Sequence, residues 1–377
     1  MSATAGHKSG TKFLYKLSYL FGFFSIFTFV PNPLFSNNEI IPYYGLLAIL
    51  LLGFSLIAKR RLDSLTVRLL LSLFVLLFVS LLIENSTALM DIVAIFVILI
   101  SLSAYRFMSG YQRHAFELGM WLSCRIAFIL LILQMIFPVV TDLVYQYLTI
   151  RQGSAEHISS YSGGAIGFAP EPAYMASFLL GPYAYFLFLG KQHLRKTVVI
   201  AASILLTGSL SGVMLMFIVT LILEFKYFFR TTRGNLYIVL MIAMLTLVSI
   251  LNERIFDRIG GLIEILLLEG LSVNTLQVID LTFGSNRLRT LVAPLSSICC
   301  GVIFAEDYLS PYSFFATLFY LIAPLHIAFV LLIIPRRKYT RLFFVALFLA
   351  VFSGPLLNWL AYLGFVYYEK KTENGYI

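Results

Sequence analysis

Across 377 residues the chain is 60% hydrophobic and 16% aromatic, with 12% charged residues and a mean hydropathy of +0.92. A soluble domain carries about twice that charged fraction, so a soluble globular enzyme is excluded. The formal charge of +9 has a topological source rather than a nucleic-acid partner.

Apolar runs of about 18–22 residues recur along the whole length, each enough to cross a hydrocarbon core of roughly 30 Å. They predict an all-α polytopic membrane protein, a single domain with about 11 transmembrane helices and 12 as the alternative. The first run, from Phe13, is long and is followed by Pro31-Asn32-Pro33, so it reads as a spanning helix and not a cleaved signal. In chain order the expected spans are about 13–30, 40–58, 66–83, 88–104, 117–138, 171–190, 196–208, 211–228, 235–251, 312–334 and 340–362. Basic clusters fall in alternate loops: Lys8/Lys12, Lys59-Arg60-Arg61, Arg106/Arg113, Arg195-Lys196, Lys226/Arg230/Arg233 and Arg336-Arg337-Lys338. The positive-inside rule makes these loops and the N-terminus cytoplasmic, with outer loops at about 139–170 and 252–311. Residues 196–228 are basic at both ends and predict a tight hairpin turning at 207–212. The last run breaks at Gly354-Pro355, which leaves the C-terminus open to either side. The second outer loop begins amphipathically, with Ile255, Ile259, Leu262 and Leu266 on one helical face and Arg254 and Arg258 one turn apart. Cys124, Cys299 and Cys300 offer no disulfide framework and read as small core residues.

Chemistry has few places to sit in such a chain. The two outer loops contain Arg151, Arg254, Arg258, Arg287 and Arg289 and no lysine. A guanidinium grips phosphate oxygens in a bidentate fork and stays charged when partly buried, which suits a lipid-linked diphosphate. Pairing with Asp257, Glu264 or Asp280, or with lipid headgroups, is the plainer reading of the same arginines. Glu171 lies between Pro170 and Pro172, at the expected start of the sixth span. It is either an acid favoured by the helix dipole or a general base facing a polar cavity. Ser209 and Ser211 form either a polar pocket floor or ordinary turn chemistry. His157 and Glu156 are further acid–base candidates, and Tyr161, Tyr174 and Tyr183 are candidates for stacking on sugars, with interface anchoring as their default role. Arg125 falls at membrane depth and is expected to face the bundle interior, with Asp91 as its geometric partner.

The chain has no GxxxxGK[ST] loop, no Asp-x-Asp, no clustered histidines and no GxSxG elbow, so neither nucleotide nor metal cofactor is expected.

Three segments carry a resemblance. Residues 167–176, Gly-Phe-Ala-Pro-Glu-Pro-Ala-Tyr-Met-Ala, resemble the G-x-x-x-E-P-[SA]-x-x-A pattern of Wzy-type bacterial polysaccharide polymerases. Residues 206–212, Leu-Thr-Gly-Ser-Leu-Ser-Gly, are similar to that group's T-G-S-x-S-G turn. Residues 284–287, Gly-Ser-Asn-Arg, resemble the arginine-bearing outer loop shared with O-antigen ligases. The chain departs from the pattern in two places. Its nearest arginine before the first motif is Arg151, and Leu210 and Gly212 stand where relatives carry an arginine.

The resemblance implies a metal- and nucleotide-independent membrane glycosyltransferase of the bacterial cytoplasmic (inner) membrane, its active site facing outward. Its substrate would be oligosaccharide repeat units on undecaprenyl diphosphate, and its partners membrane lipid and a chain-length regulator protein. It further implies that Arg287, with Arg289 or Arg151, neutralises the departing diphosphate while Glu171 orients or deprotonates the acceptor hydroxyl. An O-antigen ligase and a transporter or flippase of lipid-linked sugars are the alternatives; the latter is expected to show internal repeats and a charged central path, and neither is visible.

Overall fold

The computed structural model describes residues 3–27, 42–59, 67, 71, 74, 86–147, 165–169, 172–228, 260, 261, 264, 265, 267, 268, 270, 340–352 and 358–367. The regular elements are α1 (Ala3–Phe24), α2 (Tyr43–Lys59), α3 (Ser86–Phe107), α4 (Gly110–Ile136), α5 (Pro138–Tyr147), α6 (Pro172–Leu189), a 3₁₀ turn (Lys191–His193), α7 (Leu194–Leu206), α8 (Leu210–Phe228), α9 (Arg341–Phe352) and a C-terminal 3₁₀ helix (Trp359–Phe365). The described residues contain no strand, so the protein is all-α as far as they extend. Gly110–Ile136 and Pro172–Leu189 are long and apolar enough to cross a membrane, and four shorter apolar stretches accompany them. Expected spans 235–251 and 312–334, and most of 66–83, lie outside the described residues.

Helix ends follow hydrogen bonding where the hydropathy pattern followed lipid depth. The fifth span was expected from residue 117, yet α4 begins at Gly110. Ser109 and Gln112 form a capping box: Gln112 N–H donates to Ser109 Oγ (3.4 Å) and Ser109 N–H to Gln112 Oε1 (2.7 Å). Its 27 residues make a helix of about 40 Å, longer than the apolar core of a bilayer. The expected 207–212 hairpin is present: Gly208 takes φ +64° and joins α7 to α8.

Close packing rests on small residues. A Cβ at Gly22 would run into the Phe116 carbonyl, and one at Gly119 into the Tyr19 carbonyl, so α1 and α4 touch backbone to backbone. The Ser123 hydroxyl, on the same face, donates to the Phe23 carbonyl. Cys124 is buried and free in this seam, as a small core residue should be. Ser123, Cys124, Ala127 and Leu131 occupy the interior face, which leaves Arg125 exposed on the other side. The expectation that Arg125 faces inward toward Asp91 is therefore corrected: only the small residues fit that seam.

The single span expected at 340–362 is also corrected. Helix α9 covers Arg341–Phe352, and beyond the expected break at Gly354-Pro355 the chain returns as the 3₁₀ helix. A Cβ at Gly364 would meet the Leu342 carbonyl, and Tyr367 reaches Phe188 (5.3 Å) and Tyr185 (6.0 Å) between ring centroids. The last described residues thus come back to the end where α9 starts and α6 stops. This returning segment is buried throughout, and Trp359 stacks on Phe21 (4.9 Å) with Tyr44, Tyr105 and Phe116 around it.

The basic side chains gather at that same end. Arg113 lies over Tyr105 (5.2 Å) and Lys196 over Phe186 (4.7 Å), and Arg341 Nη1 donates to the Leu223 carbonyl.

Candidate functional site

The opposite end of the bundle is built by four short pieces of chain. The first is 165–169, just ahead of α6. Gly167 takes φ +60°, which favours glycine, and a Cβ there would press on the Met175 side chain, 2.7 Å from its Sδ. The Gln134 side chain, from the last turn of α4, grips this residue on both sides. Gln134 Nε2 donates to the Gly167 carbonyl (3.1 Å), and Gly167 N–H donates to Gln134 Oε1 (2.8 Å). Gln134 is buried, and it pairs two backbone groups that would otherwise be stranded out of reach of water. Phe168 packs edge-on against Phe27 at 4.5 Å.

The second piece is the first turn of α6, which opens on Pro172, where the missing N–H costs nothing. The third is the turn at 207–212. Thr207 Oγ1 donates to the Ile204 carbonyl (2.6 Å) and accepts from Ser209 N–H (3.3 Å). Ser209 Oγ accepts from Gly212 N–H (3.2 Å), capping α8, and pairs with Ser211 Oγ at 3.1 Å. Ser209 is thus committed to turn chemistry, while Ser211 remains half-buried beside it. The second and third pieces meet directly: a Cβ at Gly212 would collide with Ala176 Cβ.

The fourth piece is Asn358, at the head of the 3₁₀ helix. Its Nδ2 donates to the Ser177 carbonyl, one residue beyond Ala176. Asn358 is buried, and its Oδ1 has no hydrogen-bond partner.

Of the residues expected to act, Ser209 and Ser211 are brought to this place. Glu171, Arg151, His157, Tyr161, Arg254, Arg258, Arg287 and Arg289 lie outside the described residues. Tyr183 is neither a surface anchor nor available to stack: it is buried and its hydroxyl is 2.7 Å from Thr220 Oγ1. Gln134 and Asn358 were missed. Their signal was an amide inside an otherwise apolar run, Leu-Ile-Leu-Gln-Met-Ile in one case and Leu-Leu-Asn-Trp-Leu in the other.

A second polar group sits at the basic end. Tyr185 OH donates to Glu117 Oε1 (2.7 Å), so its single proton is used and Tyr105 OH must be the donor in their 3.1 Å contact. His193, in the turn between α6 and α7, is held below the usual histidine range by partial burial first and then by Lys196, with Glu117 opposing.

No group of three or more potential metal-ligating side chains occurs among the described residues. Compared with protein-family models, curated proteins and solved structures, the chain matches none.

Proposed function

We propose that this protein is a polytopic enzyme of the bacterial cytoplasmic membrane, with about 11 spans, that polymerises undecaprenyl-diphosphate-linked oligosaccharide repeat units at the outer face. One observation carries the reading furthest. The glycine–glutamate–proline segment and the Thr-Gly-Ser-x-Ser-Gly turn, separate in sequence, pack against each other through Ala176 and Gly212. They do so at the end of the bundle away from Arg113, Lys196 and Arg341, the end that the positive-inside rule would put outside.

In the proposed reaction a hydroxyl of the incoming repeat unit attacks the anomeric carbon that joins the growing chain to its diphosphate carrier. A new glycosidic C–O bond forms, the anomeric carbon–phosphate oxygen bond breaks, and undecaprenyl diphosphate leaves. Glu171, which immediately precedes α6 in the chain, takes the hydroxyl proton. Arg287, helped by Arg289 or Arg151, stabilises the charge that builds on the leaving diphosphate. Arg254 and Arg258 hold further phosphate or headgroup oxygens. The bond energy of the donor drives the reaction, so no nucleotide or metal is needed.

Purified protein given lipid-linked repeat units tests this. A ladder of longer glycans is expected without nucleotide or divalent metal, and Glu171→Ala and Arg287→Ala should each slow it by a factor on the order of 10² or more. Persistence of single units with wild-type protein, or an undiminished ladder in both variants, rejects the mechanism. Transfer to a lipid A core acceptor in place of a second repeat unit would instead favour the ligase.

A further inference from the structure

The orientation of the Asn358 amide is set by its neighbour. The Ser177 carbonyl can only accept, so the NH₂ group must face it and Oδ1 must point away. That oxygen is buried and unpartnered in a residue only 1% exposed. A buried acceptor without a donor loses its hydration and recovers nothing. It is therefore conspicuous in a bundle end where Gln134, Thr207 and Ser209 satisfy their neighbours so fully. Asn358 also lies beside Ser177, one residue past the Ala176–Gly212 contact on which the proposed function rests. The group that would complete it is a hydrogen-bond donor, such as a hydroxyl.

We propose that Asn358 is a substrate-binding residue of this site, its Oδ1 accepting a hydrogen bond from a sugar hydroxyl of the lipid-linked repeat unit. The inference rests on the glycosyltransferase reading for the identity of the ligand. The geometry alone specifies a hydrogen-bond donor, a role that a single buried water fills as well as a sugar hydroxyl does.

Trp359 provides the probe, because it adjoins Asn358 and the chain's other tryptophan, Trp121, can be replaced by phenylalanine. In nanodiscs of the Trp121→Phe protein, repeat units extracted from cells that accumulate the single unit should change Trp359 emission saturably. Sugar-free undecaprenyl diphosphate should not. Asn358→Ala should weaken half-saturation by about 10-fold or more, in keeping with the loss of one buried hydrogen bond. Asn358→Asp, whose carboxyl burial at this position keeps in its neutral form, matches the amide in shape, keeps one donor and one acceptor, and should retain binding at pH 5. It also covers the case in which the alanine variant fails to fold. Equal binding by wild type and Asn358→Ala, or loss of binding in Asn358→Asp at pH 5, overturns the proposal; the first result leaves water as the occupant. Asn358-dependent binding without any glycan ladder would keep the sugar subsite and reject the polymerase. A ladder with unchanged repeat-unit affinity in Asn358→Ala would do the reverse.

Discussion

At one end of the bundle the polar side chains are ions and phenols: Arg113, Glu117, Lys196, Tyr105 and Tyr185. At the other they are amides and hydroxyls: Gln134, Asn358, Thr207, Ser209 and Ser211. Charges at the first end sit on long side chains that can keep their polar heads solvated, so they are held at small cost. The second end contains non-helical backbone, in 165–169 and in the turn at 207–212, packed away from water. Backbone N–H and C=O groups there need partners, and neutral side chains supply them without the cost of burying an ion. Asp142 lies exposed on α5. Arg151, Arg254, Arg258, Arg287 and Arg289, which the proposed reaction would use, lie outside the described residues.

This contrast is broken most severely at Gln134. Gln134→Ala strands the N–H and the carbonyl of Gly167 together, at about 1–3 kcal/mol for each unsatisfied buried group. A total loss of roughly 2–6 kcal/mol is expected in unfolding monitored by denaturant or heat. Gln134→Glu, which can accept from Gly167 N–H but cannot donate when ionised, should fall between. If Gln134→Ala unfolds with the wild-type midpoint, the clamp does not hold the segment.

A smaller effect sharpens the contact between the two motif segments. Gly212→Ala places a methyl group against Ala176 and should cost about 1–3 kcal/mol through overpacking. Ala176→Gly in the same chain removes the obstacle at a helix-propensity cost of roughly 1 kcal/mol. The double variant should thus recover part of the stability lost in Gly212→Ala, giving a coupling energy of the compensating sign in a double-mutant cycle. Strict additivity would mean that the two segments do not touch.

Much of this was legible in the chain. Helices centred near 50, 97, 180, 202 and 219 could be read because apolar runs of helical length are the strongest signal a sequence carries. The hairpin at 207–212 could be read because Gly208 and Ser209 are the residue types a helix break and an N-cap require. Three features escaped for specific reasons. Hydropathy measures depth and not hydrogen bonding, so it missed the capped start of α4 at Ser109. It also gives no direction around the helix, so it could not place Arg125 outside while Ser123 and Cys124 lined the seam. Finally, the partners of Gln134 and Asn358 lie 33 and 181 residues away, and nothing local encodes such pairing.

The smallest expected effect lies at the basic end, and it isolates the ionic character of that end. His193 is partly buried against Phe186, with ring centroids 5.6 Å apart, and Lys196 is close enough to oppose its protonation while Glu117 favours it. Burial and Lys196 prevail, so the folded protein binds a proton at His193 less readily than the unfolded chain, whose ordinary value is about 6.5. Above that pH both states are neutral at this residue and it contributes no slope. As pH falls through 6.5 the unfolded chain takes up the proton first, and stability declines until the folded value is passed. His193→Gln, which cannot titrate, should flatten the part of the midpoint-versus-pH curve between about pH 7.5 and 5 that His193 causes. Lys196→Gln should raise the folded value of His193 toward 6.5 and so make the total decline smaller than in wild type. A His193→Gln curve that falls as steeply as wild type would place the pH dependence elsewhere, and Gln134→Ala should leave this slope untouched because it acts at the other end.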